Sequence, residues 1–272
     1  MVSSPHLYEV WILFQLIHQL KKAQFTCENI TGSMIAHFEK ERTLSGWSGK
    51  FKSSKGAAGL YYEKEIDLEN GRKVKPDFIF LFKNSNQNWD AHVLDAKYKP
   101  YTNINENVLQ NDLEHSARRY LEIKHEKITV KSAALVHIDE KTNNWNVDAN
   151  HLYKISQFPT LPGLTDHLAT YMKRIFHHFN NWLSMCPKCG GDAECILGNY
   201  KVTYICDRCE NVWVKNQCRG DFHPNSTTPR LLKYPSGNYN IQVGNQWNVY
   251  CPVCFRDVNG NRIRQNLYGH CL

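Results

Sequence analysis

Two acidic residues and a lysine lie inside otherwise apolar runs of this chain. Along residues 74–82, alternation puts Asp77 on one face of a strand with Ile79 and Leu81, and Phe78, Phe80 and Phe82 on the other. Along residues 92–98, Asp95 and Lys97 share a face with Val93, opposite Leu94, Ala96 and Tyr98. A carboxylate buried without a partner is costly, so such a group needs a cation or several donors near it. Two carboxylates converging from paired strands repel unless a divalent ion lies between them, and oxygen-only ligation suits Mg²⁺ or Mn²⁺. Glu9 falls in line with Leu13, Leu16 and Leu20 on a helix, and the same ion would serve it as partner. Lys97 can reach a water or a phosphoryl oxygen beside that ion. Two acids, a lysine and a divalent ion suffice for in-line phosphodiester hydrolysis.

The elements that must position these groups follow from periodicity. Residues 7–20 predict a strong helix, apolar on nearly every side, and residues 30–41 a weaker one. Strand patterns cover residues 60–68, 74–82 and 89–98, with Asn70-Gly71 suited to a tight turn between the first two. Residues 106–124 read as an amphipathic helix, 128–138 as an apolar strand, and 164–183 as a long basic helix carrying His177 and His178, to which no metal is assigned. The Ser/Lys/Gly-rich stretch 45–59 reads as a mobile loop. This order predicts an α/β fold, a mixed sheet flanked by helices.

Nine of the ten cysteines lie between Cys186 and Cys271, and Cys27 stands apart. The pairs Cys186/Cys189 and Cys206/Cys209, sixteen residues apart, fit a four-thiolate zinc ribbon. A further pair, Cys251/Cys254, supplies two ligands of a second site. Cys218 with His223 would complete it, and His270 with Cys271 is the rival pair. The first is preferred because adjacent residues rarely both reach one tetrahedral ion. About two zinc ions per chain are therefore expected, with Cys27 and Cys195 as ordinary thiols. The composition shift near Met185 suggests three units: residues 1–184, a ribbon at 185–215, and a second zinc module at 216–272.

The net charge is +7, from 33 Lys+Arg against 26 Asp+Glu, which permits a polyanionic partner without demanding one. Basic and aromatic residues interleave through the cysteine-rich part, among them Arg208, Lys215, Arg219, Tyr204 and Trp213, as phosphate contacts and base stacking require. A solvated basic surface is the plainer reading. No apolar run spans a membrane, since residues 10–20 are interrupted by Gln15, His18 and Gln19. The N-terminus has no basic n-region or small-residue cleavage site, so a cytoplasmic protein is expected.

Lys75-Pro76-Asp77-Phe78-Ile79, then Val93-Leu94-Asp95-Ala96-Lys97-Tyr98, with Leu7-Tyr8-Glu9-Val10-Trp11 upstream, resembles the signature of the PD-(D/E)XK nuclease superfamily. Its flavour is similar to the McrC-type subunits of restriction and phage-defence systems. The resemblance covers roughly residues 6–138 and implies a restriction-endonuclease-like core. It implies metal ligation by Asp77 and Asp95 with support from Glu9, a catalytic Lys97, and DNA as substrate, RNA being the alternative. It also points to a partner ATPase or another defence-system subunit. Relatives carry Gln-x-x-x-Tyr on the helix after the lysine; here Ser116 takes the Gln position, four residues before Tyr120. The large substrate-recognition region of McrC-type proteins does not precede this core, so recognition would fall to the zinc segment or to another chain. A reading from a different class is a non-catalytic zinc-ribbon adaptor that binds nucleic acid or protein.

Overall fold

The computed structural model describes residues 4–67, 71–83, 88–98, 115–117, 119–125, 128–139, 155–180, 182–186, 189–198, 201–217 and 229–233. The fold is α/β. Helix α1 (Ser4–Lys22) buries Ile12, Leu13, Leu16, Ile17 and Leu20, the spacing of a helical stripe. Each such side chain contributes roughly 1.5–3 kcal/mol when fully buried. The helix ends in a Schellman turn. Gln24 takes the left-handed conformation (φ 63°), Phe25 N–H donates to Leu20 O at 2.9 Å, and Gln24 N–H donates to Lys21 O at 3.0 Å. Helix α2 (Ile30–Glu41) starts at Asn29, whose side chain accepts from Gly32 N–H at 3.1 Å.

The expected loop at 45–59 is instead two antiparallel strands, β1 (Ser48–Ser53) and β2 (Gly56–Tyr62), which extend the sheet. Its glycines and serines misled because Phe51, Ala58 and Leu60 bury one face of the hairpin completely or nearly so. The strand pattern at 60–68 breaks at Glu63 (φ 48°), and only β3 (Ile66–Asp67) follows. It pairs with β4 (Lys73–Val74) in a two-residue ladder outside the main sheet, and residues 68–70, with Asn70 of the expected turn, lie outside the described residues. Pro76, lacking an N–H, interrupts the next run, and β5 begins at Phe78 (Phe78–Lys83).

With β6 (Trp89–Lys97), β7 (Lys124–His125), β8 (Ile128–His137) and β9 (Ile155–Pro159), the main sheet has seven strands. They run in the order β1-β2-β5-β6-β8-β7, with β9 also on β8. The sheet is mixed: β6/β8 and β8/β9 are parallel and the other pairings antiparallel. Residues 115–117 and 119–121 are helical; 106–114 lie outside the described residues. The long basic helix is shorter than expected. Helix α3 (Asp166–Arg174) passes into a π turn (Ile175–Phe179) and stops.

One sheet face carries the main core, with Phe78, Phe80, Phe82, Leu94, Ala96 and Val136 packed under α1 and α3. The other carries a smaller cluster of Val93, Ala133, Ala117, Tyr120 and Ile123. After Met185 a four-stranded antiparallel sheet follows, β10 (Ala193–Leu197), β11 (Lys201–Cys206), β12 (Val212–Gln217) and β13 (Pro229–Lys233). It runs past the ribbon's expected end at residue 215. Cys186, Tyr204, Cys206 and Trp213 belong to the same buried cluster as α1 and the main sheet. No described helix is long and apolar enough to cross a membrane.

Candidate active site and cysteine cluster

The β5/β6 ladder ends at Phe78 paired with Leu94, and Asp77 and Asp95 are the next residue on each side of that end. Asp77 Oδ2 accepts from Ala96 N–H at 2.6 Å. Asp95 is only 3% exposed. Its Oδ1 accepts from Tyr120 Oη at 3.3 Å, and its Oδ2 is ion-paired with Lys97. Tyr120 is itself fixed by Arg119, which donates to its oxygen at 2.8 Å. Asp77, Asp95 and Lys97 thus share one place on the sheet, and Tyr120 comes down onto it from the helical segment.

Glu9 approaches from α1. Its first partner is a hydroxyl rather than a cation: Tyr62 Oη donates to Glu9 Oε2 at 3.1 Å, with His6 Nδ1 3.7 Å from the same oxygen. Leu13, Leu16 and Leu20 are fully buried, and Glu9 marks the end of that stripe with a side chain 19% exposed. It remains close enough to Asp77 to act on its charge. Glu63 N–H donates to Asp77 O at 2.7 Å, and Glu63 Oε2 holds Lys75 Nζ at 3.1 Å.

Burial, and then the facing charge of Asp95, push the Asp77 carboxyl up to about 8; Ala96 N–H and Lys97 pull it back only in part. Burial and the Glu9 charge also raise the Tyr62 phenol, and burial with Asp95 raises that of Tyr120, so both remain hydrogen-bond donors. The set offers oxygen ligands only, the kind a divalent cation takes, but among the described residues the group of three or more ligand atoms that closes on one point is the cysteine tetrad.

The sign of the Asp77 shift sets a pH dependence. A carboxyl raised in the folded state favours folding while protonated, and that contribution disappears as pH rises through about 8. Buried His92, His137 and His177 are lowered by desolvation to about 3, 4 and 4, which costs stability only below their unfolded value near 6.5. Between pH 6.5 and 8, without added Mg²⁺ or Mn²⁺, stability should therefore fall by about 1–2 kcal/mol. Asp77→Asn should flatten that slope, and added Mn²⁺ should restore stability most at the upper end. Thermal melts across the window read both; an unchanged slope in Asp77→Asn would place the titration elsewhere.

The four cysteines form a second centre. Cys186, Cys189, Cys206 and Cys209 place their sulfurs within 4.8 Å of one another, with 3.6 Å between Cys186 and Cys209 and 3.5 Å between Cys189 and Cys206. Four thiolates about 2.3 Å from a tetrahedral ion would be about 3.8 Å apart, so the cluster could hold a metal such as zinc. Backbone turns build each knuckle: Gly190 N–H donates to Cys186 O at 2.8 Å, and Glu210 N–H to Cys206 O at 3.0 Å. Arg208 N–H and Asn211 Nδ2 point at the sulfurs of Cys206 and Cys186, at 3.4 and 3.9 Å. Cys218, His223, Cys251, Cys254, His270 and Cys271, the candidate ligands of a second zinc, lie outside the described residues. His177, expected on a helix face, is buried, with Nε2 2.7 Å from Met185 O and its ring stacked on Trp213.

Reasoning from sequence left Tyr120 without a role, because Ser116 broke the expected pair; its spacing from Lys97 was the available signal. Tyr62 gave no signal, being one aromatic in an apolar strand. Comparison of the chain with family models, with curated proteins and with solved structures returned no match.

Proposed function

We propose that this chain is a divalent-cation-dependent endonuclease of the PD-(D/E)XK type that hydrolyses DNA phosphodiester bonds. The observation that carries the reading is Asp77 held on Ala96 N–H beside Asp95 at the end of the β5/β6 ladder, with Lys97 and Tyr120 both on the Asp95 carboxylate. Mg²⁺ or Mn²⁺ held by Asp77 and Asp95, with Glu9 behind them, would polarise the phosphoryl group and acidify water. Ala96 N–H and Tyr120 Oη each occupy one carboxylate oxygen and so fix how the other is presented. Lys97 releases Asp95 Oδ2 by turning its ammonium to the phosphoryl oxygen, where it meets charge developing in the transition state. Zinc in the cysteine tetrad is structural, and the basic, aromatic-rich C-terminal part contributes to nucleic-acid binding. A place in a restriction, phage-defence or mobile-element system, beside a partner ATPase, follows from the resemblance to McrC-type subunits.

The test is plasmid cleavage by full-length protein with and without Mg²⁺. One observation favours a second reading: the Asp95–Lys97 ion pair is also what a nuclease-like fold used only for binding would contain. DNA binding without cleavage in Mg²⁺ or Mn²⁺ would select it.

Glu9 is assigned to support of the ion. Glu9→Gln keeps an acceptor for Tyr62 Oη and removes the charge, so Mn²⁺ affinity measured by calorimetry should drop about tenfold with little change in melting temperature. Unchanged affinity would make Glu9 part of the scaffold.

A further inference from the structure

The sheet face that holds Asp77 and Asp95 continues beyond them, and register fixes what lies on it. Val93 pairs with Ile79, Ile79 with Tyr61, and Tyr61 with Ser48; in the next row Ala91 pairs with Leu81, Leu81 with Gly59, and Gly59 with Lys50. Register partners point to the same side. Lys52 therefore shares this face, as does Lys83, one residue past Phe82.

Two features lie along it. Beside the carboxylates, Ile79, Leu81, Ala91 and Val93 floor a pocket of about 220 Å³, with Tyr61 and Lys64 on one side and Ile123, Ile128 and Val130 also lining it. The Tyr61 ring is packed so closely over Gly59 that a Cβ there would come within 3.0 Å of it, and Lys64 Nζ is 4.4 Å from the ring centroid. At the far edge, Ser48, Lys50 and Lys52 are exposed, with Phe51 turned into the core. Neither lysine has an ion-pair partner among the described residues. The hydroxyls of Thr26, Ser33 and Ser48 line the same edge, with Glu28 the one carboxylate there. Glu65 and Asp67 also line the pocket beside the carboxylates, and both are ion-paired with Lys73.

We propose that this half of the sheet is the track of the nucleic-acid strand leaving the candidate catalytic residues: a base enters the pocket against Tyr61, above its buried apolar floor, and Lys50 and Lys52 take backbone phosphates. The inference rests on the nuclease reading and adds a binding surface on the core itself. Charge selects the occupant, since the pocket's two carboxylates are held by Lys73, and an apolar floor between the proposed dication site and the exposed Lys50 and Lys52 matches the alternation of bases and phosphates. The dimensions agree. Lys50 and Lys52 are about 6.8 Å apart along β1, comparable to successive phosphates of an extended strand, and Lys50 lies about 16 Å from Asp77.

The test uses full-length protein and labelled single- and double-stranded oligonucleotides in Ca²⁺, with affinity followed against salt. Lys50→Ala/Lys52→Ala should reduce the slope of log affinity against log salt by about 1.4 for single strands or 1.8 for duplex. Tyr61→Ala should weaken binding roughly five- to a hundredfold and leave the slope intact. Lys40→Ala, on exposed α2, is the control and should change neither. An unchanged slope in the lysine variant overturns the track. Plasmid cleavage in Mg²⁺, run in parallel, separates the two ideas. Cleavage with an unchanged lysine slope leaves the nuclease reading and removes the track. Lysine-dependent binding without cleavage does the reverse. Absence of both binding and cleavage removes both.

Discussion

Asp95→Asn, Asp77→Asn and Lys97→Ala, each in the full-length protein, should lower Mg²⁺-dependent DNA cleavage by about 10³-fold or more. The expectation follows from where the groups meet. Asp95 is almost fully buried, lies beside Asp77 at the end of the β5/β6 ladder, and has one oxygen on Tyr120 and one on Lys97. Asparagine at either acid keeps the volume and an acceptor for Ala96 N–H or Tyr120 Oη but removes the charge a cation needs. Those variants should therefore remain folded, with Mn²⁺ binding lost by calorimetry. Lys97→Ala is different, because deleting one partner of a buried pair leaves an uncompensated charge worth about 3–5 kcal/mol. Its melting temperature should drop without added ion and recover in Mn²⁺, while cleavage stays absent. A purely structural ion pair predicts the loss of stability but no effect of Mn²⁺ on it. Full cleavage by Lys97→Ala protein would end the proposed mechanism.

What could be read from residue order follows from how local the signal is. The strand face of Asp95 and Lys97 was legible because alternation over five or six residues fixes it, and Leu94 and Ala96 lie in the main core while Val93 lies in the other cluster. The α/β arrangement followed from helix and strand periods. Pro76 and the left-handed Glu63 cut two expected strands short, and nothing in a one-dimensional pattern weighs one backbone break against an apolar run. The hairpin at 48–62 was hidden for the opposite reason. Its lysines, serines and glycines look like a loop, and only tertiary burial of Phe51 and Leu60 makes it a sheet edge. The cysteine knuckles were legible because ligand spacing is local. Their seat on the core was not, since it depends on contacts between Gln24 and Cys189 and between Lys55 and Asp192, far apart in sequence.

That seat gives the second large effect. Chelation of the metal, which we take as zinc, or removal of residues from 186 onward, should unfold the α/β core instead of releasing it as an independent unit. The composition shift at Met185 suggested a separable module, yet Met185, Cys186, Cys206 and Trp213 are each 1% exposed or less within the main buried cluster. Trp213 Nε1 donates to Leu183 O at 2.8 Å, and its ring stacks on His177 and Tyr204. The first knuckle clasps the end of α1. Gly190 (φ 73°) lies so near that a Cβ would be 2.3 Å from Lys22 O, and Gln24 Nε2 donates to Cys189 O at 3.2 Å. Losing a buried Trp alone costs about 3–5 kcal/mol, against a total of about 5–15 kcal/mol for a whole domain. Structural zinc supplies an apparent 10–16 kcal/mol or so in small peptides, so its removal acts on the same balance. Full-length protein should therefore melt in one transition that coincides with zinc release. Cys206→Ser and Gly190→Ala should each lower the melting temperature by about 10 °C or more, the glycine variant through the clash with Lys22 rather than through a ligand. Two separate transitions, or a version ending at Met185 that melts cooperatively at the full-length temperature, would show that the ribbon only rests on the core.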